Sequence, residues 1–345
     1  MRAERSENRT AGLVLAKATR DPAFQPLAFE VPGRYDRNLD GIDTHEPMNQ
    51  RTDKDKVGEE LAAQRFGMLA DIARELAGEV LFPTCFDAVL RLRKELQNPE
   101  ITLARIAQVV QLEPLVAAKL VRLANSAAYA VHGQPIRELP SAIQRLGLNV
   151  VRATALAVAM GEILQAKEMA GFSELAQSLW EHSIRCAAAA RLLARAYTRI
   201  SPEEALLAGL VHDLGAFYML YRAVQYPELR ERPETLKHLI MQWHEAIGVT
   251  LLESLGLPRE IAQASNDHDH PRPIPDVPRT LADLVYIGNL LAGGYREWLH
   301  LSRRSQDSQN PPDPQEEEIK RFLDKHADLL PEIENGAREM RAALG

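Results

Sequence analysis

The sequence predicts an all-α fold, and three observations support that prediction. Aromatic residues make up only 6% of the 345 residues, whereas alanine and leucine, which favour helices over strands, are abundant. Apolar residues recur at helical spacing along most of the chain. No run of alternating apolar and polar residues is long enough to predict a strand. We therefore expect successive helices joined by short connections.

The N-terminal part of the chain divides by composition. Residues 1–56 mix charged residues, Asn, Gly and Pro without apolar periodicity, which indicates a loosely ordered tail. A lead-in helix is expected over 57–80. A small helical subdomain follows over 81–168, and its helices are expected at 86–96, 103–110, 114–125, 139–146 and 150–166.

Caps and breakers support these boundaries. Thr102 suits an N-cap, and Pro114 stands where a proline fits the first position of a helix. Gly147 can end the helix before it in a left-handed conformation.

Longer helices are predicted over 172–300, which would form a second subdomain of one 81–300 domain. They are expected at 174–197, 202–224, 233–255, 258–266 and 281–300. Residues 301–318 have the composition of a linker. An amphipathic helix over about 316–343, with a break at Pro331, would make 319–345 a C-terminal helical segment.

Composition also limits the class of protein. A net charge of −7 and a pI near 5.9 give no overall basic surface for nucleic acid. Cys85 and Cys186 are far apart in sequence, which argues against a disulfide framework or a thiolate zinc site and fits a reducing compartment. The apolar runs at 11–16 and 154–164 are too short for a signal peptide or a bilayer span. We expect a cytoplasmic protein without membrane insertion.

A His-Asp pair is the first candidate for chemistry. His212 and Asp213 follow the apolar run of residues 206–211, which predicts that the pair lies inside a buried helix. An unpaired carboxylate would be costly there, so a metal ion or a histidine is expected to compensate Asp213. Imidazole and carboxylate ligands together suit Zn, Mn, Fe or Ni. The alternative is a set of structural histidines hydrogen-bonded across a helical core.

The order of several polar segments resembles the HD superfamily of metal-dependent phosphohydrolases and its HD-GYP branch. These segments are Trp180-Glu-His182-Ser, Ala208-Gly-Leu-Val-His212-Asp213-Leu-Gly215, Trp243-His244-Glu and Asn266-Asp-His268-Asp-His270. The resemblance implies a divalent metal (Fe, Mn, Zn, Ni or Mg) bound by His182, His212 and Asp213. It also implies a second metal at His244 and His268, with Asp269 and His270 around the metals or in contact with a ligand.

This sequence departs from the hydrolases at three places. Asn289 stands where the closing aspartate of an HD site belongs, so it would be a weak ligand, and Asp283 is a possible substitute on another helical face. Ala216 replaces a lysine that normally follows the His-Asp segment. Pro271 begins a segment that lacks the Gly-Tyr-Pro of the cyclic-dinucleotide hydrolases. Metal binding is therefore expected, and activity stays open.

An upstream segment points to one branch of this superfamily. Residues 112–129 (LEPLVAAKLVRLANSAAY) closely resemble the hallmark of the HDOD family, with Pro114, Asn125 and Ser126 at its characteristic positions and Gly147 after it. The resemblance covers roughly 76–295. It implies a multi-helix HD-type bundle with a small N-terminal helical subdomain. It also implies a regulatory role in bacterial signal transduction, through a signalling protein partner or a nucleotide-type ligand.

Two alternatives and the oligomeric state remain. The protein could be an active phosphohydrolase that acts on a nucleotide or cyclic dinucleotide. A helix-turn-helix over 101–125, with Lys119 and Arg122 facing phosphates, would bind DNA. DNA binding is disfavoured, because Gln111 stands in the turn where glycine is preferred and few basic residues are available. The sequence leaves a homo-oligomer open.

Overall fold

The structure, a computed structural model, describes residues 59–77, 84–129, 135–294, 298–299, 314–325 and 328–344. The predicted tail at 1–56 and most of the predicted linker lie outside these residues. The chain divides into two compact units, Met1–Val80 and Leu81–Gly345. In the first unit, helix α1 (Glu59–Ala77) covers most of the predicted lead-in helix.

The described part of the second unit contains helices and no strand, which confirms the predicted all-α class. Its first four helices are α2 (Asp87–Leu96), α3 (Leu103–Gln111), α4 (Pro114–Ala124) and α5 (Leu139–Gln165). The next five are α6 (Ser173–Tyr197), α7 (Pro202–Val211), α8 (Leu214–Ala223), α9 (Pro227–Arg230) and α10 (Pro233–Ser254). The last four are α11 (Arg259–Ala264), α12 (Leu281–Leu291), α13 (Pro314–Lys325) and α14 (Leu329–Leu344).

Helix α5 is the centre of the first group, since α2, α3 and α4 all pack against it. The predicted helix end at Gly147 is a kink inside α5, where this glycine adopts φ +78° and the helix then resumes. Among the described helices, α5 is long and apolar enough to span a bilayer. However, 67% of its most apolar stretch is buried inside the fold, as expected for a core helix.

Helix α6 is the centre of the second group and packs against α7, α12 and α14. Small residues allow these close contacts. A Cβ atom at Gly209 on α7 would lie only 2.9 Å from the carbonyl oxygen of Cys186, and one at Gly288 on α12 would lie 3.1 Å from the same oxygen. Cys186 and Cys85 are both free, as the sequence predicts.

Three predicted helices have different ends in the structure. The helix expected over 202–224 is broken at residues 212–213, and the helix expected over 281–300 ends at Leu291. The C-terminal helix divides between Lys325 and Leu329 instead of breaking at Pro331. Proline is tolerated at residue 331 because it lies in the first turn of α14, where backbone N–H groups have no intrahelical partner.

The segment that resembles the HDOD family, and the helix before it, have the local structure that the sequence predicts. The hydroxyl of Thr102 accepts a hydrogen bond from the backbone N–H of Arg105 at 3.2 Å, and Pro114 is the first residue of α4. At the end of α4, the side-chain amide of Asn125 pairs with both the N–H and the carbonyl of Ile136, at 2.8 Å each. The Asn125 side chain therefore holds the end of α4 against the segment that leads into α5.

The charged face of α4 is covered by the C-terminal helix. Lys119, which is buried, donates to the carbonyl of Leu344, and Arg122 donates to the carbonyl of Ala343. Both cations thus bind the last turn of α14, where carbonyl groups lack helical partners and the helix dipole is negative. A helix-turn-helix would need both side chains to contact phosphates, but in this fold they bond to the C-terminal helix instead.

We predict that Lys119→Met loosens α14. The substitution keeps the apolar stem but removes the charged donor to Leu344, so the free energy of unfolding should fall by about 1.5–3 kcal/mol. Urea denaturation measures this loss, and hydrogen exchange should increase in the last turn of α14. Lys94→Met on the exposed face of α2 is the control. Equal stability of the two variants would contradict the proposed role of Lys119.

Candidate metal centre

Four histidines and one aspartate meet in the interior of the second unit. They are residues that the sequence predicts as ligands, and each is at most 2% exposed: His182, His212, Asp213, His244 and His268. Helix α6 carries the first histidine, and the break between α7 and α8 carries the His-Asp pair. Helix α10 and the turn after α11 supply the other two histidines.

The His-Asp pair lies at a helix break, whereas the sequence predicts that it lies inside one helix. Asp213 has φ −98° and ψ +18°, and its carbonyl accepts from the N–H of Ala216 at 2.9 Å to begin α8. The break turns the Asp213 carboxylate into the cluster, at the N-terminus of α8, where the helix dipole favours a negative charge. The predicted burial and compensation by histidine are present, since His268 bonds to this carboxylate.

One carboxylate oxygen of Asp213 faces the first pair of histidines. The Nε2 atoms of His182 and His212 are 3.2 Å apart. Asp213 Oδ2 lies 3.3 Å from Nε2 of His212 and 3.6 Å from Nε2 of His182. This buried oxygen makes no hydrogen bond to the described residues, so it is an acceptor without a donor.

The other carboxylate oxygen of Asp213 faces the second pair. Asp213 Oδ1 lies 3.2 Å from Nε2 of His268 and 3.4 Å from Nε2 of His244. The two Nε2 atoms are 3.3 Å apart, and Asp269 Oδ2 lies 3.4 Å from that of His244. Asp213 therefore stands between two groups of donors, one on each carboxylate oxygen.

A backbone carbonyl orients each of the four rings. A carbonyl can only accept, so the Nδ1 atom of each ring carries a proton, and a neutral ring then points the lone pair of Nε2 into the cluster. Buried metal-binding histidines are held in this way. The four Nδ1–carbonyl pairs are His182 with Ala292 at 3.3 Å, and His212 with Gly209, His244 with Ile240 and His268 with Ser265 at 2.8 Å each.

Electrostatics favour positive charge in the cluster. Burial raises the pKa of the Asp213 carboxyl, but His212 and His268 lower it more, so the group stays ionised. Burial lowers the pKa of His268, yet Asp269 and Asp213 raise it further, to about 10. Burial lowers the pKa of His212 to about 3. The two carboxylates thus attract a cation, while the pair around His212 offers neutral nitrogen donors.

The donor set fits a divalent metal ion. The group of His182, His212 and Asp213, and the group formed by Asp213 with His244 and His268, each keep one ligand atom per residue within 4.8 Å of the others. Two nitrogens bound to a tetrahedral zinc ion at about 2.0–2.1 Å are roughly 3.3 Å apart, close to the spacings within each histidine pair. Imidazole and carboxylate together suit borderline transition metals, as the sequence predicts.

Asn289 lies at the edge of the cluster with its amide nitrogen tied down. Its Nδ2 donates to the carbonyl of His268 at 2.9 Å and to Asp269 Oδ1 at 2.8 Å. Its Oδ1 is buried and makes no hydrogen bond to the described residues. Asp283 is not the substitute ligand that the sequence suggests, because it forms a capping box with Thr280 at the start of α12.

Sequence analysis missed Glu245, which supports the second pair from outside. Its Oε1 accepts from the backbone N–H of Asp269 at 3.0 Å and lies 3.4 Å from Nδ1 of His268. Its Oε2 lies 3.3 Å from Nδ1 of His270, which is half exposed and outside the cluster. Burial raises the pKa of Glu245, but His270 and His268 lower it more, to about 2. Its position next to His244 was the only signal in the sequence.

A second missed feature is a glycine contact between α8 and α10. A Cβ atom at Gly215 would lie 2.0 Å from the carbonyl oxygen of His244 and 2.6 Å from the backbone nitrogen of Gly248. Only glycine fits this close approach of two backbones. The contact brings the N-terminus of α8, which carries Asp213, next to the turn of α10 that carries His244.

Comparisons with known proteins agree with this architecture. The sequence profile of the HDOD domain family matches residues 82–271, more than half of the chain. A curated but uncharacterised protein of Treponema pallidum is 23% identical over 245 residues; the match covers 67% of this chain and 45% of that protein, so this chain spans less than half of its relative.

Two solved structures share the fold. One is a provisionally named metal-dependent phosphohydrolase from Shewanella amazonensis SB2B, with a TM-score of 0.59, 22% identity, and coverage of 82% of this chain and 100% of that one. The other is a provisionally named phosphohydrolase from the same organism, with a TM-score of 0.52, 17% identity, and coverage of 79% and 98%. Together with the segment around Asn125 and the ordered histidines, the family match shows that this chain belongs to the HDOD family.

Proposed function

We propose that this HDOD protein is a bacterial regulator that binds a divalent metal in its His-Asp cluster and signals by binding rather than by hydrolysis. One observation carries the proposal: the cluster is complete in nitrogen donors, yet it is closed. Every one of its five donor residues is at most 2% exposed. A metal bound there would fix α6, the α7–α8 break, α10 and the turn after α11 relative to one another.

The ligands that we assign follow from the two donor groups. His182, His212 and Asp213 would hold one ion, and Asp213, His244 and His268 would hold a second. Asp269, whose Oδ2 lies 3.4 Å from Nε2 of His244, would support the second ion. A bound divalent metal can act as a Lewis acid or lower the pKa of a water molecule. Here its main effect would be structural, because catalytic metals keep an open position that substrate and water can reach.

Two further residues argue against efficient hydrolysis. Asn289 supplies an amide where the hydrolases that this chain resembles have an aspartate, and that amide already bonds to His268 and Asp269. Ala216, fully buried on α8, stands where those hydrolases carry a lysine. Asn289 lacks the negative charge with which an aspartate would bind a metal ion, and Ala216 lacks the positive charge that would bind a phosphate ester.

The second candidate function is a metal-dependent phosphohydrolase acting on a nucleotide or cyclic dinucleotide. The observation in its favour is Asp213 Oδ2, a buried acceptor without a donor that faces two histidines. Such an oxygen is expected of a metal ligand in either function, so metal content alone does not separate the two candidates. A measurement of phosphodiester turnover separates them.

We predict that purified protein contains a transition metal and does not hydrolyse phosphodiesters such as bis-p-nitrophenyl phosphate. Asn289→Asp adds a carboxylate, so metal affinity should rise about tenfold or more, because charged ligands bind hard and borderline cations better than amides do. Metal analysis and competition with a chromogenic chelator measure the change. The control is Asn335→Asp on the exposed face of α14.

The outcome that contradicts this proposal is specific. Turnover by the wild-type protein that disappears in His212→Ala, together with the metal, would establish the hydrolase instead. Turnover that appears only in Asn289→Asp would support the proposal, since it would identify a disabled hydrolase.

The signal itself would come from a signalling protein partner or a nucleotide-type ligand in the cytoplasm. Purification of the tagged chain from its host, followed by identification of copurifying proteins and nucleotides, tests this part. It should recover a specific partner or ligand that is absent when the His244→Ala variant is used.

A further inference from the structure

A second concave site lies outside the metal centre. It is a cleft of about 210 Å³ between α2, α5 and the turn that joins α10 to α11. Its walls include Leu92, Leu156 and Leu257, all buried. Its polar lining consists of Arg93, Gln97 and Arg152.

The cleft is positively charged, although the protein has a net charge of −7. Two guanidinium groups line it, and none of its lining residues is acidic. Arg152 contacts the side-chain oxygen of Asn149 at 3.5 Å and pairs with no carboxylate among the described residues. Arg93 donates to the carbonyl of Ser254. Each guanidinium has five N–H donors, so most of those on Arg152 are available to water or to a ligand in the cleft.

A partly buried cation without a counter-ion is costly. Burial lowers the pKa of Arg152, which reflects that cost. An anion in the cleft would remove it through charge-assisted hydrogen bonds, and the planar guanidinium groups match the two oxygens of a carboxylate or phosphate. The leucine walls favour an apolar part on the same molecule.

The size of the cleft limits the ligand. A cavity of about 150 Å³ holds benzene, so one of 210 Å³ admits a single ring or a short chain with an anionic group. We propose that this cleft binds a small amphiphilic anion, in which a carboxylate or phosphate group pairs with Arg152 and Arg93 and a short apolar body packs against the leucines.

The position of the cleft gives such a ligand a route to the metal centre. The turn at Leu255–Leu257 ends α10, which carries His244, and leads through α11 to His268. Arg93 holds the last turn of α10 through Ser254, and it also lies under Gly256, where a Cβ atom would be 2.7 Å from the Arg93 side chain. An anion that draws Arg93 toward it would act on this turn. This role of the ligand rests on the regulatory function proposed above.

Calorimetric titration of the purified full-length protein with benzoate, phenyl phosphate and the neutral benzyl alcohol tests the cleft. We expect at least one anion to bind at least about tenfold more tightly than benzyl alcohol. Arg152→Gln should reduce that affinity about tenfold or more, and Arg152→Lys should restore part of it. Arg195→Gln, at an exposed position on α6, is the control and should bind like the wild type.

Equal binding of benzyl alcohol and both anions, or unchanged binding by a folded Arg152→Gln variant, would overturn the proposal. The comparison of probes uses the wild-type protein alone, so it still decides the matter if the variants fail to fold. No residue of the His-Asp cluster lines the cleft. Anion binding should therefore persist in His212→Ala. A failure of the anion proposal can thus be distinguished from a failure of the metal proposal.

Discussion

Replacing Asp213 with asparagine is expected to remove both metal ions at once, whereas replacing His244 with glutamine should remove only one. Asp213 places Oδ2 beside His182 and His212 and places Oδ1 3.2–3.4 Å from the other histidine pair. The amide keeps the shape of the side chain but loses the negative charge that both ions would share. Metal affinity should fall more than about 100-fold, because changes even in groups that only orient a ligand cost 10–100-fold.

Metal analysis of the purified variants measures this difference, and thermal melting with and without a chelator provides a second readout. His238→Gln is a matched control on the same helix as His244. Its Nδ1 bonds to the carbonyl four residues earlier, as that of His244 does, but its side chain is exposed and contacts none of the cluster. Loss of one ion in Asp213→Asn with the other retained would show that this carboxylate does not bridge the two groups.

The sequence could predict which residues meet in the cluster because the cluster depends on residue types in a fixed order. The apolar run before His212 indicates burial, and a buried carboxylate needs compensation. The helix boundaries are mostly within two residues of the structure, since caps such as Thr102 and Pro114 act locally. The resemblance to HDOD proteins adds the order of histidines from α6, α10 and the turn after α11.

The break at His212–Asp213 could not be predicted from the residues around it. Leucine and alanine on both sides favour a continuous helix, and no proline marks the break. Asp213 belongs to a residue type that often caps helices, but its side chain makes no capping bond to α8. Contacts that are distant in sequence hold the chain at this turn, since α10 packs against α8 and His268, in the turn after α11, bonds to Asp213. Glu245 was missed for a similar reason, because its partners at Asp269 and His270 come together only in the folded chain.

The same contacts make Gly215 a sensitive position, and Gly215→Ala is expected to lower the free energy of unfolding by about 3 kcal/mol or more. The new Cβ atom would lie 2.0 Å from the carbonyl oxygen of His244, so the α8 and α10 backbones must separate. Overpacking in a core typically costs 1–3 kcal/mol and costs more where backbone must move. Separation would also draw His244 away from Asp213, so metal affinity should fall together with stability.

Two alanine variants show whether the effect comes from this one contact. Gly161→Ala, in helix α5, meets nothing within 4 Å and should be neutral or stabilise by up to about 1 kcal/mol, because alanine favours helices. In Gly248→Ala the nearest atom to the new Cβ is the nitrogen of Gly215 at 3.4 Å, an ordinary contact, so the change should be mild. Urea denaturation with parallel metal analysis tests all three variants. If Gly215→Ala were as stable as Gly248→Ala, the close approach of α8 to α10 would not be what sets the spacing between Asp213 and His244.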